Sequence, residues 1–258
     1  MMDQALSRGF TRLLPLLLSS LAIAACVITD VGNPPQDEDF EATVQIELRQ
    51  DDSSPVLTQK IWLSAERFRL IDAQTCSNDA PADRTEGFIF EVIPQDLCEP
   101  VTFTKKRGDF CRLGLLLDPA PDVTLPENAP QDLEAASMVI EATRASDDAP
   151  ILVVLDVADK LKLDATDGSF TVGEGQERAN FVISLDTTTW WDGDAIASAE
   201  AGEDGIIRVD AQNNSAVRDA LLAKLGAQIT LHLDANGDEQ LDDAERADVL
   251  ATGGLVDP

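Results

Sequence analysis

The chain has no tyrosine, a single histidine and only 5% aromatic residues among its 258. Each scarcity removes some chemistry. One imidazole cannot build a multi-histidine metal centre, and a hydrolytic triad has only His232 to draw on. Because His232 alternates with Leu231 and Leu233, it is expected on the solvent face of a strand beside Asp234. Few rings remain to stack on sugars or bases. Trp190 and Trp191 are neighbours, and neighbours on a strand point to opposite faces, so one is expected in the core and the other partly exposed. Positive charge is also short, with 19 Lys and Arg against 48 Asp and Glu, for a net charge of −29. Nucleic acid is excluded as a partner by such a field, which also repels anionic lipid headgroups and gathers cations. Neither a Gly-rich phosphate loop nor a paired-cysteine zinc motif occurs.

Long apolar runs are missing too, apart from Leu13 to Ala25. That run follows Arg8 and Arg12, spans thirteen residues and is interrupted by Pro15, Ser19 and Ser20. A membrane-spanning helix needs about 20 apolar residues, so the run is an export signal, not a span. It ends in Ile23-Ala24-Ala25-Cys26, which resembles the lipobox of bacterial lipoproteins. The resemblance implies cleavage before Cys26, lipid on that cysteine, and a protein held to a membrane of the cell envelope by its acyl chains. Val27 stands where Asp would signal inner-membrane retention, which favours the outer membrane. Loss of residues 1–25, with their net +1, leaves −30 on the mature chain.

Residues 26–41 hold Pro34, Pro35 and several acids without apolar periodicity, the pattern of a flexible tether. From Ala42 onward, to residue 258, short alternating runs predict an all-β domain. Val44, Ile46 and Leu48 set the period, and similar runs recur at 61–70, 87–93, 101–104, 111–117, 138–143, 151–155, 181–185, 206–209 and 229–233. Two short helices are expected near the C-terminus. One is capped by Asn214 or Ser215, presents Val217, Leu221, Leu222 and Leu225, and ends at Gly226. The other starts after Leu241, includes Ala244, Ala247, Val249 and Leu250, and closes at Gly253-Gly254. Many strands with late helices point to a β-sandwich. The strands, the Phe-Cys-Arg-Leu run and Trp191-Asp192-Gly193 resemble a group of uncharacterised bacterial lipoproteins across residues 42–235. That resemblance supports the sandwich and supplies no activity.

Three cysteines remain after Cys26, and at most two can pair within the chain. The strand ends carrying Cys76 and Cys111 predict a bridge between them, though spacing alone fixes no connectivity. Cys98 is then expected to be a buried free thiol.

One segment carries site chemistry. Residues 234–245 read Asp-Ala-Asn-Gly-Asp-Glu-Gln-Leu-Asp-Asp-Ala-Glu and resemble the twelve-residue EF-hand calcium loop. The resemblance implies side-chain ligands from Asp234, Asn236 and Asp238, the carbonyl of Gln240, Asp242 directly or through water, and both oxygens of Glu245, with Ca2+ as the cofactor. Glu239 departs from the family, which uses glycine there to take a left-handed backbone. Ile229, Leu231 and Leu233 alternate, so a strand enters the loop where a paired EF-hand has a helix. An alternative for Asp242 and Glu245 is a helix capping box that needs no metal. The function expected is a lipid-anchored, non-catalytic protein that binds calcium structurally, with an unidentified protein or glycan partner. A carboxylate-dependent hydrolase such as a glycosidase is the alternative, but no pair of acids can be singled out for it.

Overall fold

The computed structural model describes residues 39–77, 81–94, 96–119, 124–156, 160–172, 177–225, 229–238 and 240–256. The export signal, Cys26, nearly all of the tether, Gly226 and Glu239 lie outside these described residues.

The described chain is dominated by strands, as the alternation predicts. They are β1 (Asp39–Arg49), β2 (Val56–Asp72), β3 (Phe88–Val92), β4 (Val101–Lys106), β5 (Asp109–Leu117), β6 (Met138–Arg144), β7 (Ala149–Leu155), β8 (Lys160–Ala165), β9 (Phe170–Thr171), β10 (Arg178–Asp186), β11 (Ile207–Val209), β12 (Ile229–Asp234) and β13 (Ala251–Val256). Three helices accompany them: α1 (Gly193–Ala197), α2 (Ser215–Leu225) and α3 (Asp243–Ala247). All thirteen strands join one mixed sheet in the order β11-β7-β6-β2-β5-β8-β13-β12-β10-β1-β4, with β3 beside β2 and β9 beside β5. The pairs β1–β10 and β7–β11 are parallel; the others are antiparallel. Pairing therefore draws a continuous curled sheet and does not draw the separate layers expected of a sandwich.

The curl starts in β2. Its first half pairs with β6 and β3, its second half with β5, and the register breaks between Ala65 and Arg67, a bulge that bends the strand. The far edge returns to meet it. Phe103 of β4 lies 4.5 Å from Phe68 of β2, and Asp83 staples the two by accepting from the Leu70 amide at 2.6 Å and the Lys105 ammonium at 2.7 Å. Inside the curl, side chains align across strands: Ile46–Ile183–Leu231 and Leu48–Leu185–Ile229 form apolar rows, all buried. Each fully buried side chain of this size contributes about 1.5–3 kcal/mol, which is why the inward positions are apolar without interruption. The outward rows over the same three strands are polar except at Val182: Glu47–Ser184–Thr230, Gln45–Val182–His232 and Thr43–Asn180–Asp234.

Several expectations change. β1 starts three residues before Ala42 and already buries Phe40. Helix α2 uses Val217, Leu221 and Leu225 as its buried face, as expected, but the Asn214 side chain is engaged with the backbone of Glu200 and Arg208 instead of capping it. Helix α3 is only five residues long, and Val249 and Leu250 lie beyond it. Gly253 and Gly254 belong to β13, not to a helix end. A side chain at Gly253 would meet the Lys162 carbonyl oxygen at 1.9 Å, so glycine is there for close approach of two strands. Trp190 and Trp191 are both buried, because a one-turn 3₁₀ helix (Thr187–Thr189) precedes them and removes the strand alternation. A helix α1, absent from the expectation, follows directly.

Candidate metal loop and the polar face beneath it

The loop of interest leaves β12 at Asp234 and reaches the sheet again through α3. Asp234 is buried and accepts from the Gly237 amide at 2.7 Å. Gly237 has φ +72°, a left-handed turn that suits glycine and tightens the loop three residues in. Asn236 accepts from the Asp238 amide at 2.8 Å, and Asp238 from the Gln240 amide at 3.1 Å, so each short polar side chain props the turn that follows it. Leu241 is buried, as an apolar residue pinning the loop should be.

Glu245 closes the loop. One carboxylate oxygen accepts from the amides of Ala235 at 2.9 Å and Asn236 at 3.3 Å, and the other accepts from Asp242 N–H at 2.9 Å. Asp242 in turn accepts from the amides of Ala244 and Glu245 at 2.8 and 2.9 Å, which completes a capping box at the start of α3. The capping arrangement anticipated for these two residues is therefore present. The twelfth position thus reaches the amides just after the first, and Asp234, Asn236, Asp238 and Glu245 all turn onto the loop's own amides. Among the described residues, no group of three His, Cys, Asp or Glu side chains converges as a metal-holding cluster. The donor chemistry suits a hard cation, since every candidate ligand offers oxygen. Asn236 and Asp238 each accept one amide on an oxygen that keeps a second lone pair, so only Glu245, one of whose oxygens accepts two amides, would exchange a partner for the ion.

Beneath α3 lies a polar cluster that the sequence did not disclose. Arg246 forms a two-pronged ion pair with Glu47 of β1, at 2.5 and 2.6 Å, and Ser184 of β10 donates to the same carboxylate at 3.3 Å. Glu47 and Arg246 are 199 positions apart, and no local pattern links them. His232 also belongs here. It is 4% exposed, not solvent-facing, because α3 covers the outer face of β12. Its Nδ1 donates to the Glu245 carbonyl at 3.2 Å and its Nε2 accepts from the Thr230 hydroxyl at 2.8 Å, a neutral tautomer fixed by partners on both sides. Burial pushes its pKa below the ordinary histidine value. Alternation gave the correct face but could not say what would cover it.

Cys76 and Cys111 are joined, with Cα atoms 6.0 Å apart. Cys98 is a buried free thiol that accepts from the Ile46 amide, and burial pushes its pKa up to about 12. Among the described residues no helix is long and apolar enough to cross a membrane. The sequence matches no protein-family model and no curated protein.

Proposed function

We propose that this chain is an exported, lipid-anchored, non-catalytic protein of the cell envelope, and that its loop at 234–245 binds calcium in a mainly structural role. Anchoring rests on the export signal and the lipobox-like run ending at Cys26, and the Val27 position favours the outer membrane. Export accords with the bridge between Cys76 and Cys111, since such bonds persist in oxidising compartments. The observation that carries the calcium reading is the closure of the loop by Glu245 against the amides next to Asp234. That closure sets the Glu245 carboxylate, last in the EF-hand-type loop, against the amides that follow Asp234, the first residue of it.

Extracellular calcium modules have dissociation constants of about 0.1–1 mM. At one to ten times that concentration an ion stabilises the fold by about 0.4–1.4 kcal/mol. The test is thermal unfolding of the full chain with and without 1 mM calcium, for which a rise of about 1–5 °C is expected. Asp234→Ala with Glu245→Ala removes the calcium-dependent difference, whatever the double change does to the melting temperature itself. Identical curves with and without calcium for the unmodified chain overturn the calcium reading.

A further inference from the structure

A cleft of about 450 Å³ opens on the outer face of β1, β4, β10 and β12, beside the first turn of the loop at 234–245. Strand register lays a polar row along its floor. Thr102 of β4 pairs with Thr43 of β1, Thr43 with Asn180 of β10, and Asn180 with Asp234 of β12. Paired side chains on one face of a sheet lie about 5 Å apart, so the four form a continuous shelf. The loop from Asp234 to Gly237 makes one wall, held by bonds that need no ion: the Gly237 amide on Asp234, and the Ala235 and Asn236 amides on Glu245. Pro100, just before β4, lines the cleft at the other edge of the four strands.

Two side-chain amides in the cleft are each half used. Asn180 Oδ1 accepts from the Thr43 hydroxyl at 2.8 Å, which leaves Nδ2 as a donor with no partner among the described residues. Gln45 is buried, and its Nε2 donates to the Cys98 carbonyl at 3.0 Å. Its Oε1 is left as an acceptor, again with no partner among the described residues. One bond fixes each amide plane and presents the other half ready-made. Gly237 keeps the space beside Asn180 open, since even a Cβ there would come to 3.8 Å from Nδ2.

A hydroxyl group both donates and accepts, so a hydroxyl-rich ligand satisfies a spare N–H and a spare carbonyl oxygen together. An anion would use only the first and a cation only the second. Charge points the same way. Glu41 and Asp234 line the cleft, and the one cation lining it among the described residues, Arg178, is already paired with Glu41 at 2.9 Å. An anionic ligand is therefore repelled here as it is by the whole chain. On the face of a sheet the main-chain groups are spent in the ladder, so an extended peptide finds none of the strand-to-strand bonds by which it adds to an edge. The volume falls within the range of small-molecule sites, about 300–1,000 Å³. No aromatic ring is among the described lining residues; Pro100 and Leu233 supply aliphatic surface instead.

We propose that this cleft binds a short neutral saccharide, whose hydroxyls donate to Gln45 Oε1 and accept from Asn180 Nδ2 while its C–H surface packs on Pro100 and Leu233. The inference is independent of the calcium reading, because none of these contacts uses a metal.

The test is a nuclear magnetic resonance titration of the isotope-labelled full chain carrying Cys26→Ser, so that no acyl group is attached. It is run in chelator, which separates its outcome from that of the calcium test. Maltose, lactose and N,N′-diacetylchitobiose are the probes, and glycerol and a trialanine peptide are the comparisons. At least one disaccharide should shift the backbone amides of Thr43, Thr102, Asn180 and Gly237 saturably, with both comparisons leaving them in place. Asn180→Ala should weaken that binding about tenfold, the upper strength of one neutral hydrogen bond. Thr102→Trp, at an exposed position of β4, fills the cleft and should abolish binding in a chain that still folds. No saturable shift with any of the three sugars, an equal response to glycerol, the peptide binding in their place, or unchanged affinity in either variant overturns the proposal.

Discussion

Removing the bond between Cys76 and Cys111 should destabilise the fold by about 3 kcal/mol. The two cysteines are 35 positions apart, and cross-linking a loop of that length removes chain entropy from the unfolded state equivalent to about 4 kcal/mol. Part of that gain is offset in the native state. Cys76 sits in the turn after β2 with φ +37°, left-handed backbone that a side-chain-bearing residue adopts at about 1 kcal/mol. Cys111 is buried in β5, next to the register break at the end of β2, so the bridge fastens the site where strand pairing is least regular. For a domain of this size, 3 kcal/mol corresponds to a fall of about 6–12 °C in melting temperature. Thermal unfolding of Cys76→Ala with Cys111→Ala measures it, and reduction of the unmodified chain should reproduce the same shift. A fall below 3 °C in the double variant would refute the argument, because the unfolded chain would then gain little freedom from losing the bond.

Arg246→Met should cost about 3 kcal/mol in urea unfolding, with the slope unchanged, because Glu47 stays buried with only the Ser184 hydroxyl at its carboxylate; a loss under 1 kcal/mol would show the pair to be dispensable. Cys98 should resist an aromatic disulfide reagent at pH 8 in the folded protein and react at once in denaturant, given a thiol pushed up to about 12; quick labelling of the native state would contradict its burial. The lowered pKa of His232 means that the unfolded chain takes up the proton first, so stability should fall as pH drops below the ordinary histidine value of about 6.5. His232→Gln should flatten that dependence between pH 7 and 5.5, and an unaltered profile would assign the effect to other groups.

Strand positions were legible because alternation is a local signal. Val44, Ile46 and Leu48 announce both β1 and its buried face, and Val217, Leu221 and Leu225 do the same for α2. Strands β8, β9 and β13 were missed for different reasons. Lys160-Leu161-Lys162-Leu163 does alternate, but only two apolar residues carry the pattern; Phe170–Thr171 is too short to show one; and Gly253-Gly254 carries the signature of a helix end. Pairing partners were beyond reach altogether. Nothing local tells that β1 lies parallel to β10, which is what places Glu47 beside Ser184. The same contrast holds around α3. The loop at 234–245 is contiguous and therefore visible as a motif, whereas Glu47 and Arg246 pair across 199 positions.

The short helix after the loop shows which part of the structure sets the other. Five residues cannot sustain a helix alone, since isolated helices shorter than about 12–15 residues are marginal in water. α3 is held by the capping box, by Arg246 on Glu47, and by the Glu245 carbonyl on His232. Two of those three ties reach the sheet, and they involve consecutive residues. The carboxylate of Glu245 is therefore delivered to the loop by contacts with β1 and β12 that need no ion. A loop ordered in advance spares an entering cation most of the ordering that a free loop would demand. By lowering the dissociation constant, that ordering raises the stabilisation a given calcium concentration supplies. At 1 mM calcium, an effect well below about 0.4 kcal/mol would place the dissociation constant above 1 mM and count against a loop set for the ion in advance.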